Sequence, residues 1–295
     1  MDWITGTKIP VGKTAKTVFD WMTDNLTGVF DAISAALEGM IAVILACLTL
    51  PPDAQPFSGA YEPLYPAAWH PLLVIAVFVG LTYALQRSWK PCLLVAAGFL
   101  FILNQGYWKA TAESLTLILS ACVVCMAIGV PLGIAAAHRP KLYRVMAPVL
   151  DLMQTLPTFV YLIPAIVFFG LGMVPGLIAT VVFVLPAPIR LTRLGVVSTP
   201  PALLEAAEAF GSSPWQKLRK VELPSAWPQI MAGLNQTIML SLSMVVIAAL
   251  VGANGLGVPV VRALNTVNTA LGFEAGLIIV VVAIVLDRML RTGAK

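Results

Sequence analysis

Gly6, Gly12, Lys13 and Thr14 are the residues of this chain that come nearest to a phosphate-binding loop. Such a loop needs the spacing GxxxxGK[ST] after a buried strand, so that backbone N–H groups can cradle the phosphates. Here the two glycines stand one residue too far apart and no strand-like run precedes them. Nucleotide hydrolysis is therefore expected on another subunit. Nucleophilic or acid–base chemistry is no better supplied. His70 opens an apolar run and His138 sits in a basic stretch, and neither has a Ser or Cys near it in sequence to activate. The four cysteines, Cys47, Cys92, Cys122 and Cys125, lie in or beside apolar runs, where a free thiol behaves as a small hydrophobe. No catalytic residue and no metal site are assigned.

Ion-coupled carriers hold ionisable groups deep within their membrane spans. Glu113, Asp151, Arg190, Arg193, Glu274 and Asp287 instead fall near the ends of apolar runs. That favours an external energy source, with an ion-coupled secondary carrier or channel for a small zwitterion as the alternative.

The residues with the most organised spacing form the stretch EAAEAFGSSPWQKLRKVELP, Glu205–Pro224, the longest polar passage in the chain. Thr199 before Pro200 and Pro201 reads as an N-cap with proline in the first turn. Ala202–Phe210 is built almost wholly of good helix formers, and Gly211 closes that helix as a left-handed cap. Ser213, Pro214 and Gln216 then spell a second start, an N-cap serine with glutamine three residues on. The result is two short helices joined by a Gly-Ser turn. With Ala206 and Ala207 small beside Glu205, the unit fits a groove in another protein; a solvated connector between spans is the plainer reading of the same residues.

What must position this unit is a membrane. Of 295 residues, 59% are hydrophobic and only 11% charged, against about 25% charged in ordinary soluble domains. The class expected is an all-α polytopic membrane protein. A spanning helix needs about 20 mostly apolar residues, and seven stretches qualify: Ala67–Gln86, Pro91–Gly106, Leu115–Ala137, Val149–Gly170, Val174–Leu194, Ile230–Val251 and Ala270–Val285. Alternating the loops puts thirteen Lys/Arg on one side and only Lys109 and Arg262 on the other, so the Glu205–Pro224 side is cytoplasmic by the positive-inside rule. The net charge of +4 thus reports orientation, and no nucleic-acid partner is implied.

Residues 1–66 form a separate N-terminal region. Val18, Met22, Leu26, Val29, Ile33, Leu37 and Met40 recur at helical spacing with Asp20, Asp24, Asp31 and Glu38 between them, an amphipathic pattern. The chain turns wholly apolar from Met40 to Leu50. An interfacial or scaffold helix is favoured over an eighth span, because the acidic residues stand so close to the apolar run. A proline-rich outer linker follows. Residues 67–295 form the transmembrane domain, with its cytoplasmic loop at 199–226. The N-terminus shows no apolar core ahead of a cleavage site, so no removable signal peptide is expected.

Glu205-Ala206-Ala207, Gly211 after three intervening residues, and Val221-Glu222-Leu223-Pro224 after nine more resemble the cytoplasmic EAA loop of bacterial ATP-binding-cassette importer permeases, with Val221 where isoleucine is usual. The similarity extends from about Ala112 to Asp287. "GVPLGIAAAHRP", "LDLMQTLPTFVYLIPAIVFFGLGMVPG", "LPAPIRLTRLG", "GLNQTIMLSLSMVVIAALVGANGLG" and "VVAIVLDR" resemble the permease subunits of glycine betaine/proline betaine and choline uptake systems. The resemblance implies the type I importer permease fold in the bacterial inner membrane and a non-catalytic, homodimeric permease. It implies cytoplasmic ATPase subunits docked on the loop, ATP and magnesium held by those subunits with no cofactor on this chain, and an external binding protein that delivers the substrate. Glu205, Ala206, Ala207, Gly211, Leu223 and Pro224 become the ATPase-coupling residues.

For the substrate passage, Gln154, Thr158 and Tyr161 share a helix face at i, i+4, i+7, and Asn235, Met239 and Ser243 fall within about a quarter turn of one another. A polar, uncharged lining suits a net-neutral zwitterion or small cation; hydrogen bonding between helices uses the same residues equally well. Quaternary ammonium groups are commonly held in aromatic cages. Trp69, Trp89, Trp108, Trp215 and Trp227 all lie near the ends of spans, so a high-affinity cage is expected on the binding protein. Glycine betaine, proline betaine and choline are not separated by this chain's residues, nor are osmotic and nutritional roles.

Overall fold

The structure, a computed structural model, describes residues 11–49 and 69–290. The region around Gly6 and the proline-rich linker lie outside the described residues. Every regular element described is helical. In chain order these are α1 Val11–Thr49, α2 His70–Gln86, α3 Trp89–Asn104, α4 Trp108–His138, α5 Pro140–Thr155, α6 Thr158–Phe169 and α7 Met173–Val184. They continue as α8 Pro186–Val197, α9 Pro201–Ala209, α10 Pro214–Lys217, α11 Leu223–Ala249, α12 Gly257–Thr266 and α13 Thr269–Leu290, with a π-helical turn, Leu218–Glu222, joining α10 to α11.

By length and composition, five continuous helices can cross a membrane: Gly12–Thr49, Trp108–His138, Met173–Val197, Pro214–Ala249 and Thr269–Leu290. The α5–α6 pair makes a sixth if counted as one broken span. The seven or eight spans read from the sequence are reached when the two shorter apolar helices, α2 and α3, are counted with these. The first two candidates form α2 and α3, of 17 and 16 residues, at the lower edge of the spanning range, and Gln86 at the end of α2 donates to the Arg288 carbonyl near the end of α13. They pack on each other across the link Arg87–Ser88.

The stretch Val149–Gly170 is not one helix. It breaks between α5 and α6 with a bend of 98°. Leu156 stands before Pro157, whose ring disfavours the helical region for its predecessor, and both residues are extended (ψ 137° and 132°).

Helix α1 does contain a run able to cross a membrane, a feature the interfacial reading undervalued. Its packed face is only in part the apolar stripe seen in the sequence: Leu37 and Met40 pack on the bundle, but Val18, Val29 and Ile33 are exposed. Contacts centre on Phe19, Phe30, Leu37, Ile41 and Leu48, which lie within about 40° of one another on a helical wheel. Phe30 stacks on Phe168 with centroids 4.6 Å apart, and Ile41 is buried against Ala121, Val174 and Leu177. Beside lipid, an apolar side chain loses nothing by facing out, so shape decides which face packs.

The heart of the bundle is α4, α8 and α11, held close by small residues. A Cβ at Gly133 would lie 2.7 Å from Thr192 Cβ and 2.8 Å from the Ile189 carbonyl oxygen, so only glycine permits this approach. Some buried hydroxyls in the spans bond locally, whereas those of Ser120, Thr192 and Ser241 are buried without a hydrogen bond. Thr116, Thr180 and Thr237 each donate to the carbonyl four residues back at 2.7–2.8 Å. Cys122 and Cys125, a C-x-x-C pair on α4, are buried free thiols.

Candidate functional site

Helix α9 starts at Pro201, with Pro200 as its N-cap in an extended conformation (ψ 129°). Thr199, expected to cap it, does not: its side chain is buried and its Oγ1 makes no hydrogen bond. The cause is the proline pair, because Pro201 keeps Pro200 out of helical ψ and moves the start one residue on. The other end follows the sequence closely. Gly211 has φ 72°, its N–H donates to the Glu208 carbonyl at 2.9 Å, and the Ser212 N–H donates to the Ala207 carbonyl at 3.0 Å. These two bonds make a Schellman cap.

Ser213 then caps α10 as a full capping box. Its N–H donates to Gln216 Oε1 at 2.9 Å, and the Gln216 N–H donates to Ser213 Oγ at 3.3 Å. Lys217 Nζ donates to Glu208 Oε1 at 2.7 Å and ties the second helix back to the first.

The π-helical turn that follows has a local cause. Pro224 has no N–H, and in a regular helix its ring would press on the Lys220 carbonyl. Widening the turn relieves that contact, and the Leu223 N–H reaches back five residues to the Leu218 carbonyl. Leu223 packs on the cluster of Val196, Ala226 and Ile230, while Pro224 is exposed.

The six motif residues are thus brought into one unit but divided by environment. Glu205 and Ala206 are exposed and Ala207 is buried. Leu203 and Phe210 are exposed beside them, Phe210 at 90%. Helix α9 packs chiefly on the π-turn and on α10, so it stands away from the bundle and offers a small-residue surface with apolar flanks.

Two further ionic contacts were not visible in the motif. Glu222 is buried and its Oε2 lies 2.7 Å from His138 Nε2, 84 residues away at the end of α4. On the α5–α8 seam, Arg190 donates to Asp151 at 2.6 Å and the Arg193 guanidinium lies 3.6 Å over the Tyr143 ring. No sequence signal pairs such distant residues; the charges near Glu208 and Lys217, flanking one tight turn, are the exception.

Of the residues considered for a substrate passage, Gln154, Thr158 and Tyr161 do not share a helix face, because the 98° bend separates Gln154 on α5 from the other two on α6. The Tyr161 phenol instead donates to the Met153 carbonyl at 2.6 Å, capping the end of α5. Asn235, Met239 and Ser243 do lie together on α11. The Asn235 amide oxygen is buried without a hydrogen bond, and the Ser243 hydroxyl donates to the Met239 carbonyl at 3.3 Å.

Residues 129–292 match the family model described as binding-protein-dependent transport system inner membrane component. The chain is 42% identical over 282 residues to the glycine betaine transport system permease protein OpuAB of Bacillus subtilis (strain 168), covering 96% of this chain and 93% of the relative. It is 47% identical over 228 residues to the glycine betaine/carnitine transport permease protein GbuB of Listeria monocytogenes serotype 1/2a (strain 10403S), covering 76% of this chain and 81% of the relative. Among solved structures, the inward-facing MetNI methionine ABC transporter matches with a TM-score of 0.55 and 25% identity, over 66% of this chain and 97% of the matched chain. The fold is that of a type I importer permease. With more than half its length matched by the family model and a 42% identical relative along nearly all of it, the chain belongs to the binding-protein-dependent transport system inner membrane components, the multi-pass permease subunits of ABC importers.

Proposed function

We propose that this chain is the membrane-spanning subunit of an ATP-driven importer for a quaternary ammonium compound, of the class of glycine betaine, proline betaine or choline. It takes the substrate from an external binding protein and releases it into the cytoplasm. The observation that carries this reading is α9, a short helix standing away from the bundle with Glu205 and Ala206 exposed, a Schellman cap at its C-terminal end and a capping box opening the next helix. Such a helix is built to sit in a groove of an ATPase subunit, which binds ATP and magnesium and performs the hydrolysis. The substrate class is supported by two relatives, both glycine betaine transport systems.

The working unit is two copies of this chain with two ATPase subunits, since each chain carries one coupling helix. For the passage, the arrangement on α11 favours Asn235, Met239 and Ser243, with the buried amide oxygen of Asn235 as the polar contact.

Proteoliposomes holding the chain, its ATPase and its binding protein test the proposal. ATP-dependent uptake of radiolabelled glycine betaine is expected, competed by proline betaine or choline according to specificity. Native mass measurement is expected to show two copies of each membrane and ATPase subunit. Uptake driven by an ion gradient through the chain alone would overturn the assignment.

A further inference from the structure

We propose that His138 and Glu222 are positioning residues that seat the coupling segment on the membrane bundle; their role in transport rests on the ATP-driven reading proposed for this chain. The coupling helix α9 is joined to α10 by the contact of Glu208 with Lys217 Nζ at 2.7 Å. Helix α10 runs straight into the π-helical turn, and that turn ends in Glu222. Among the described residues, the contact of Glu222 with His138 is the one side-chain hydrogen bond that joins residues 199–222 to another helix of the bundle.

The chemistry of the pair is set by what each ring nitrogen faces. His138 Nδ1 lies 3.0 Å from the Ile134 carbonyl oxygen, which can only accept, so Nδ1 carries a hydrogen. Nε2 lies 2.7 Å from the carboxylate of Glu222. An N–H at Nε2 donates to this carboxylate, and a hydrogen bond to an ionised acceptor is of the stronger kind.

The contact is buried on one side only, for the His138 side chain is 45% exposed. The Glu222 side chain is 6% exposed, and a buried carboxylate that loses its partner is left uncompensated. The π-turn forced by Pro224 is what carries Glu222 into this place. A push on α9 therefore reaches α4 through Glu208, Lys217, the π-turn, Glu222 and His138, a route whose coupling has to be measured rather than read from proximity.

The assembled complex is used for the test, with His138→Ala, Glu222→Ala, the double variant, and His138→Gln, whose amide N–H can still donate to the carboxylate. Two quantities are read: glycine betaine taken up per ATP hydrolysed in proteoliposomes, and hydrogen exchange of the amides of residues 214–223. Each alanine variant is expected to lower uptake per ATP about 10-fold, within the usual range of inter-site coupling, and to speed exchange in the segment. The double variant is expected to be no worse than either single one, because both remove the same contact. His138→Gln is expected to restore both readouts, which a mere volume effect does not explain. Unchanged exchange in the single variants, or additive losses in the double one, would overturn the proposal. Exchange that responds while the unmodified complex shows no ATP-dependent uptake would support the contact and sink the importer reading instead.

Discussion

The hydroxyl of Ser114 accepts the backbone N–H of Leu256 at 2.8 Å, across 142 residues of chain. Both residues are buried, with Leu256 fully so. The bond fixes the corner before α12 against the first third of α4. Ser114→Ala strands the Leu256 N–H in an apolar core, which costs about 1–3 kcal/mol. The thermal unfolding midpoint of the detergent-purified chain should drop accordingly, and no drop would mean that the N–H finds another acceptor.

Gly211 offers a cleaner case of backbone cost. Nothing lies within 4 Å of a Cβ built there, yet its φ is 72°. The penalty on a side chain is thus conformational, about 1–2 kcal/mol for most residues and least for asparagine. Uptake and substrate-stimulated ATP hydrolysis should fall in the order wild type, Gly211→Asn, Gly211→Val. Insertion and assembly should survive, since the open space around Gly211 leaves packing elsewhere untouched. Equal activities in all three would separate the cap from coupling.

Tyr161→Phe tests the two roles considered for this residue. As a cap on the Met153 carbonyl, the phenol contributes about 1 kcal/mol, so stability should fall slightly while the glycine betaine concentration for half-maximal uptake stays the same. A several-fold shift in that concentration, with stability unchanged, would place the hydroxyl in the passage after all.

Topology is tested with single cysteines in a background lacking Cys47, Cys92, Cys122 and Cys125. Ser213→Cys should react with an impermeant maleimide only from the cytoplasmic side, and Leu264→Cys, at a position 70% exposed, only from outside. Reaction of both from one side would overturn the orientation drawn from the thirteen-to-two distribution of Lys and Arg.

Features governed by contacts within a few residues were legible in the chain. The α9–turn–α10 unit is one of them: its Schellman cap closes rings of five and six residues, and its capping box spans three positions. Even the error there was local, with the second proline of a pair moving the helix start from Pro200 to Pro201. The break at Leu156–Pro157 is where the sequence reading fails: Val149–Gly170 reads as one span through Pro157, and neither the break nor its 98° size is legible, because neighbouring helices set how far a freed chain swings.

By itself, the sequence determined that this is a helical membrane protein and that one wet segment folds into a capped pair of short helices. Only the tertiary structure decided which face of α1 packs, that Gln154 and Tyr161 part company, and that Glu222 meets His138. The physical reason is the solvent. In water, the apolar pattern announces the buried face. In lipid, an apolar side chain is equally at home on either face, so the partner of each helix is chosen by close fit and by a few buried polar contacts, such as that of Ser114 with Leu256, between residues far apart in the chain.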